Sequence, residues 1–176
     1  MSPRCRIAVF GSSTTGKTAL VHRFLFNETP LFYDPTVEDF FRASYFLGAE
    51  RLDVLITDCS GKELFRGMRQ RYVSNNHGFI VVYSVKNRQS FLEALRICYL
   101  LGPVPKILVG TKAEIDWRYR EVPSEEGEQA AAQLKCSFSE TSSVTGTNNR
   151  EVFEEILHEI CEYKLWKKTQ KGCCLM

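Results

Sequence analysis

The stretch Gly11-Ser12-Ser13-Thr14-Thr15-Gly16-Lys17-Thr18 constrains this chain more than any other. It fits the spacing G-x-x-x-x-G-K-[ST]. The apolar run Ile7-Ala8-Val9-Phe10 precedes it, and the helix-like run Ala19-Leu20-Val21-His22-Arg23-Phe24-Leu25 follows it. A strand, a glycine-bearing turn and a helix in that order form a phosphate cradle. Gly11 and Gly16 let the backbone curl so that its N–H groups face inward across Ser12, Ser13, Thr14 and Thr15. The start of the helix adds partial positive charge. Lys17 is placed to reach the β- and γ-phosphates, and the Thr18 hydroxyl is placed to bind Mg²⁺. An incidental glycine turn would not need both flanking elements.

The rest of the chain alternates strand and helix patterns. Arg4–Phe10 reads as a strand and Lys17–Phe26 as a helix, with a loop over 27–36 in which Pro30 and Pro35 exclude a helix. Residues 39–47 and 51–57 are strand-like and joined by Gly48-Ala49-Glu50 as a hairpin. A polar loop over 58–67 and a short helix over 68–73 follow. Residues 79–85 form an apolar run, broken only by Ser84, and read as a central strand buried on both faces. A helix over 90–101 stops at Gly102-Pro103, and 106–109 is another buried strand. Ser124 reads as the cap of a helix with Glu125 and Glu126 in its first turn, and 136–139 as a short strand. The last helix is expected to start near Asn148, with Glu151 as capping-box partner. Its Val152, Phe153, Ile156, Leu157 and Ile160 form a stripe for core packing. The alternation predicts one α/β domain: a mostly parallel sheet with helices on both faces and one antiparallel edge strand. Ligands in such sheets sit beyond the carboxyl ends of the strands, where the loops after Phe10, Thr57, Val109 and Ser139 gather.

Composition excludes several classes. A net charge of +2 is too small to argue for nucleic acid. Seven scattered cysteines with no Cys-x-x-Cys pair suit a reduced compartment better than a disulfide framework or a zinc site. The amino terminus lacks the apolar core of a signal peptide, and no run approaches the ~20 residues of a membrane span.

Three more motifs fall on the expected ligand end. Asp58-Cys59-Ser60-Gly61 offers a carboxylate for Mg²⁺ and a backbone N–H for a terminal phosphate. Tyr33-Asp34-Pro35-Thr36 offers a threonine hydroxyl to complete the Mg²⁺ shell. Thr111-Lys112-Ala113-Glu114 offers a carboxylate for the two-donor edge of guanine.

With these motifs in this order, the chain resembles the Ras superfamily of small GTPases, over nearly its whole length. It is most similar to the Ras branch, Ras- and Di-Ras-like members, through residues 33–39 and Glu140-Thr141-Ser142. The resemblance implies a P-loop GTPase domain over 1–166 with a six-stranded sheet, binding GTP or GDP with Mg²⁺. Thr18, Thr36 and Asp58 would hold the metal. Gly11 to Thr18, Thr36, Asp58, Gly61, Thr111, Lys112, Glu114, Ser142 and Ser143 would hold the nucleotide. Lys17, Thr36, Gly61 and Lys62 would be the groups at the hydrolysed phosphate. Two switch segments, over 32–41 and 60–71, would order around the γ-phosphate. Asp34, Val37, Glu38, Asp39 and Phe41 would present the edge strand to effector proteins. An exchange factor, but no nucleic acid, belongs to this picture, and the protein would be a monomer.

Residues 167–176 read as a basic tail. Cys173-Cys174-Leu175-Met176 fits C-a-a-X, with methionine favouring farnesyl on Cys173. Lys164, Lys167, Lys168 and Lys171 supply the second membrane signal that one lipid chain needs. The expected place is the cytoplasmic face of the plasma membrane, with a cytosolic pool.

The departures from the family are as informative. Lys62 stands where a glutamine usually orients the attacking water, and Ser13 where Ras proteins usually carry glycine. Both favour slow hydrolysis. Glu114 replaces the usual aspartate, Thr111 the commoner asparagine, and Ser142-Ser143-Val144 the usual Ser-Ala-Lys. Thr29 stands where an aromatic usually stacks on guanine, with Phe26 or Phe32 as substitutes, and the segment over 90–110 is short. The expectation is a membrane-anchored GTP-binding switch with impaired GTPase activity. The alternative is a pseudoGTPase acting as a constitutive interaction module.

Overall fold

The computed structural model describes residues 4–28, 38–59 and 73–172. Six strands form one sheet: β1 (Arg4–Phe10), β2 (Glu38–Leu47), β3 (Glu50–Cys59), β4 (Gly78–Ser84), β5 (Lys106–Thr111) and β6 (Ser137–Thr141). Among the described residues four α-helices accompany them: α1 (Lys17–Phe26), α2 (Arg88–Leu101), α3 (Ser124–Leu134) and α4 (Asn149–Gly172). The strand order is β2-β3-β1-β4-β5-β6. All neighbours are parallel except β2 and β3, the expected hairpin. β4, β5 and β6 lie side by side in chain order, and each of those parallel steps returns through a helix, α2 or α3, long enough to recross the sheet.

The period-two alternation of the strands divides the core between the two faces. Ile7 and Val9 of β1, Ile80 and Val82 of β4, and Ile107 and Val109 of β5 point to one face. Leu20 and Val21 of α1 and Val152, Phe153, Ile156, Leu157 and Ile160 of α4 cover it. Ala8, Phe10, Phe79, Val81, Tyr83 and Leu108 point to the other, where Phe91, Ala94, Cys98 and Leu101 of α2 and Ala131 of α3 meet them. Every residue of β4 and β5 is buried. They are therefore two-sided strands covered by helices, with apolar residues filling most of both.

Three local expectations need correction. β3 runs through Cys59, so Asp58 lies within a strand and not in the loop after it; the register pairs it with Val9 and with Asp39. Ser124 is the first residue of α3, and Pro123 occupies the cap with no side-chain hydrogen bond. Proline suits a helix start because it lacks an N–H that would need a partner. Asn148 is not a side-chain cap for α4: it is left-handed (φ 55°) and its Nδ2 donates to the Glu140 carbonyl at 2.8 Å. The short helix expected over 68–73 falls outside the described residues except at Val73, which is helical together with 74 and 75. The trimmed segment after α2 is explained by a connection of only residues 102–105 before β5. The backbone of α4 continues past residue 166, where the sequence suggested a boundary between domain and tail.

Candidate functional site

β1 ends at Phe10, and the chain turns sharply into α1 through the glycine-bearing loop. Gly11 has φ +150°, and a Cβ built there would sit 2.1 Å from the Val82 carbonyl oxygen. No side chain fits, because the loop lies directly against the end of β4. Gly16 has φ +92° and leads into the first turn of α1. Thr14 is left-handed at φ 63°, an uncommon state for a β-branched residue. Such strain costs on the order of 1–3 kcal/mol and survives only where surrounding contacts hold it.

Those contacts come from three elements. Lys112, in the loop after β5, donates from Nζ to the Thr14 carbonyl at 2.8 Å. The Thr111 hydroxyl reaches the Thr15 carbonyl as well as the Tyr83 carbonyl, the latter at 2.9 Å. From α2, the Glu93 carboxylate accepts the Ser12 hydroxyl. Within the loop, Thr15 Oγ1 and Lys17 Nζ both donate to the Ser12 carbonyl at 2.9 Å. The loop is braced from outside and stitched inside. Ser13 projects from it exposed.

Lys17 is buried, and burial pulls its ammonium pKa down while the nearby Asp58 charge opposes that shift. Asp58 is fully buried at the carboxyl end of β3. Burial is the largest influence on its carboxyl and pushes the pKa up, against the Thr18 hydrogen bond and the Lys17 charge. The Thr18 hydroxyl donates to Asp58 Oδ2 at 2.6 Å. The other oxygen, Oδ1, is buried without a hydrogen-bond partner. A desolvated carboxylate oxygen with nothing to accept is costly, and a cation is what relieves it. Two hard oxygen donors beside a buried lysine therefore fit Mg²⁺ better than a soft metal. No cluster of three or more His, Cys, Asp or Glu side chains suited to a metal occurs among the described residues.

The loops after β5 and β6 join the same end of the sheet. The Ala113 N–H donates to the Thr141 carbonyl at 3.1 Å, and Lys112 turns the chain at φ 64°. Glu114 is left exposed on this turn. Ser142 is buried; its hydroxyl accepts the Thr145 N–H at 3.1 Å and its carbonyl accepts Asn149 Nδ2 at 2.9 Å. Glu140 pairs with Arg120, both largely covered. The Ala113–Thr141 bond ties the loop that carries Glu114 to the one that carries Ser142 and Ser143, and Thr111 and Lys112 join the first of these to the phosphate loop.

Comparison with known proteins decides the class of this site. The Ras family model matches residues 6–162. The chain belongs to the Ras family. It is 40% identical over 161 residues to the GTP-binding protein Di-Ras2 of Mus musculus, covering 87% of this chain and 80% of that protein. It is 32% identical over 161 residues to the GTP-binding protein Rit2 of Mus musculus, covering 88% of this chain and 74% of that one.

Among the family's expected site residues, the structure brings together Gly11 to Thr18, Asp58, Thr111, Lys112, Glu114, Ser142 and Ser143. Thr36, Gly61, Lys62, Asp34, Val37 and Cys173 lie outside the described residues, as do Thr29 and Phe32. Glu38, Asp39 and Phe41 lie on β2, the outermost strand next to β3. Asp39 is exposed, while Phe41 packs edge-on against His22 and Phe26 of α1. Sequence reasoning missed Glu93, Asn149 and Arg120, which hold the Ras-family loops from behind. Each sits on a helix or in a loop with no motif of its own, so only the fold reveals its partner.

Proposed function

We propose that this Ras-family chain is a guanine-nucleotide switch that binds GTP and GDP with Mg²⁺ and hydrolyses GTP slowly. The observation that carries the reading is the Thr18–Asp58 pair at the mouth of a braced phosphate loop, with Oδ1 left unpartnered. Thr18 and Asp58, with Thr36, would hold the ion, which when bound neutralises charge on the β- and γ-phosphate oxygens. Lys17 holds its ammonium inside the loop and binds the same oxygens. The backbone N–H groups of residues 13–18 and the amino end of α1 supply the remaining donors. Glu114 accepts from the guanine edge, with a longer reach than aspartate.

Slow hydrolysis rests on two residues. Lys62 has donors only, so it does not accept a proton from the attacking water. Ser13 projects from the phosphate loop and obstructs an arginine supplied by an activating protein. Effector proteins add along β2 through Asp34, Val37, Glu38, Asp39 and Phe41, and an exchange factor resets the switch. Cys173, prenylated in its C-a-a-X frame, anchors the protein to the inner leaflet with help from the lysines. No helix among the described residues is long and apolar enough to cross a membrane.

A second reading, a pseudoGTPase interaction module, is favoured by Glu114, which stands exposed on its turn in place of the family's aspartate, and by Lys62 in place of the glutamine. The nucleotide content of the full chain purified with Mg²⁺ distinguishes the readings. Bound GTP supports the slow switch. Bound GDP means ordinary turnover, and no nucleotide supports the interaction module.

A further inference from the structure

β2 is the outermost strand of the sheet, and its far edge pairs with no strand among the described residues. Exposed edges are ordinarily blunted by shortness, a bulge, proline or lysine. β2 has none of these. It runs ten residues, matches β3 pair for pair from Glu38 to Leu47, and holds no proline or lysine. The period-two alternation sends Phe41, Tyr45 and Leu47 against the core and Phe40, Arg42, Ser44 and Phe46 outward. Phe40 is 63% exposed and Phe46 64%. Both phenylalanines therefore stand in water on one face of an edge strand.

Opposite charges accompany them. Arg42 is exposed between the phenylalanines, and Asp53 stands opposite Ser44 on β3. The Asp53 carboxylate accepts the Ser44 hydroxyl at 3.4 Å, and Arg51 Nη2 reaches from β3 to the same hydroxyl oxygen at 2.9 Å. An arginine on this face thus spans the gap to a neighbouring strand.

We propose that two copies of this chain join β2 to β2, antiparallel, about a two-fold axis through Ala43, so that their two sheets become one. In that register each Phe40 lies opposite Phe46 of the second copy, Arg42 opposite Ser44, and Ala43 opposite its own copy. The axis repeats every contact, so two aromatic pairs form. Aromatic pairs across strands are favourable, and like charges directly opposite are not. An axis through Arg42 would set that arginine against itself and part the phenylalanines. An axis through Ser44 would carry Phe40 past the strand end to Gly48. The Ala43 register alone brings each Phe40 to a Phe46. It also leaves only Ser44 between Asp53 and Arg42 of the second copy, two strand spacings or about 10 Å apart. The serine is small, so the guanidinium crosses it to the carboxylate, and this contact too forms twice. A second copy fits the edge because the row of phenylalanines, arginine and serine, with Asp53 behind it, complements itself. Asp39 and Phe41 lie along the joined edge, so the dimer and an effector exclude one another. The pairing draws on β2 and β3 alone and does not depend on the guanine-nucleotide reading.

The test is sedimentation equilibrium of the full, unlipidated chain over a concentration series, where a reversible monomer–dimer equilibrium is expected. Phe40→Lys and Phe46→Lys should each weaken it by about tenfold or more while keeping the wild-type urea midpoint, since both side chains are exposed. Arg42→Asp and Asp53→Arg should each weaken it, and the two together should restore it. Disulfide trapping reads the register. Mixed and oxidised, the Phe40→Cys and Phe46→Cys proteins should give a peptide pair joining positions 40 and 46, which neither protein gives alone. A chain that stays monomeric throughout the series overturns the proposal, as does a dimer that neither lysine substitution weakens. A trapped 40–40 or 46–46 pair overturns the Ala43 register, and a double charge variant no better than the single ones overturns the Arg42–Asp53 contact.

Discussion

Replacing Thr111 with valine tests whether the phosphate loop is held from behind. The two side chains are nearly the same shape, so the change removes a hydroxyl without opening a large cavity. That hydroxyl belongs to a residue 2% exposed, and it lies within reach of two carbonyls, Thr15 and Tyr83. One proton serves one acceptor at a time, so one hydrogen bond is lost. The Thr15 carbonyl belongs to a residue 1% exposed, and water does not readily replace the donor. Leaving a buried carbonyl unsatisfied costs about 1–3 kcal/mol. If the brace holds the loop ready for phosphate, most of that cost appears in nucleotide affinity. About 2 kcal/mol corresponds to a roughly 30-fold weaker dissociation constant. The assay is GDP binding by calorimetry with Mg²⁺, alongside urea unfolding of the nucleotide-free protein. Thr111→Ser keeps the hydroxyl and serves as the control, expected to stay within a few-fold of wild type. Wild-type affinity and wild-type unfolding midpoint in Thr111→Val would refute the brace. So would a serine variant as damaged as the valine one.

Other perturbations separate the remaining parts of the argument. Gly11→Ala forces a Cβ to within 2.1 Å of the Val82 oxygen and should cost several kcal/mol, about 3 or more; retention of the wild-type denaturation midpoint would contradict the geometry. His77 accepts the Arg6 N–H on Nδ1 at 3.0 Å, and burial, then Lys164 and Arg6, lower its pKa to about 4. The unfolded chain therefore binds the proton first, and stability present above the ordinary histidine pKa of 6.5 is lost as pH falls towards 4. With partial exposure screening the effect, the loss is on the order of 1 kcal/mol, and His77→Asn should flatten the pH dependence of the thermal midpoint. Lys62→Gln should raise single-turnover GTP hydrolysis, with Ser13→Gly needed in addition before an activating protein can act; equal rates in wild type and Lys62→Gln would remove Lys62 from the explanation. Cys173→Ser should move the protein from membrane to cytosol in fractionation, and unchanged membrane binding would refute the prenyl anchor.

The phosphate loop was legible from residues 11–18 because its chemistry is local. Two glycines, a lysine and a hydroxyl at fixed spacing dictate the turn whatever surrounds it. The α/β layering was legible for a similar reason, since period-two and helical patterns record which faces are covered. The apolar runs within β4 and β5 announced a sheet with helices on both sides. Asp58 was legible as a residue type; its pairing with Thr18 depended on the register that sets Asp58 beside Val9 at the root of the loop. The cap errors at Ser124 and Asn148 share a cause. A side chain that suits a helix start locally was drawn elsewhere, as the Asn148 carboxamide was to the Glu140 carbonyl, or displaced by a neighbouring proline. Sequence alone assigned Thr111 and Lys112 to the nucleotide, whereas folding turned their polar atoms onto the Thr15 and Thr14 carbonyls. The pairing of Ser12 with Glu93, and of Arg120 with Glu140, left no trace in any local pattern. A hydrogen bond between distant residues depends on where the sheet and its covering helices bring two atoms together, and only the packed chain fixes that distance.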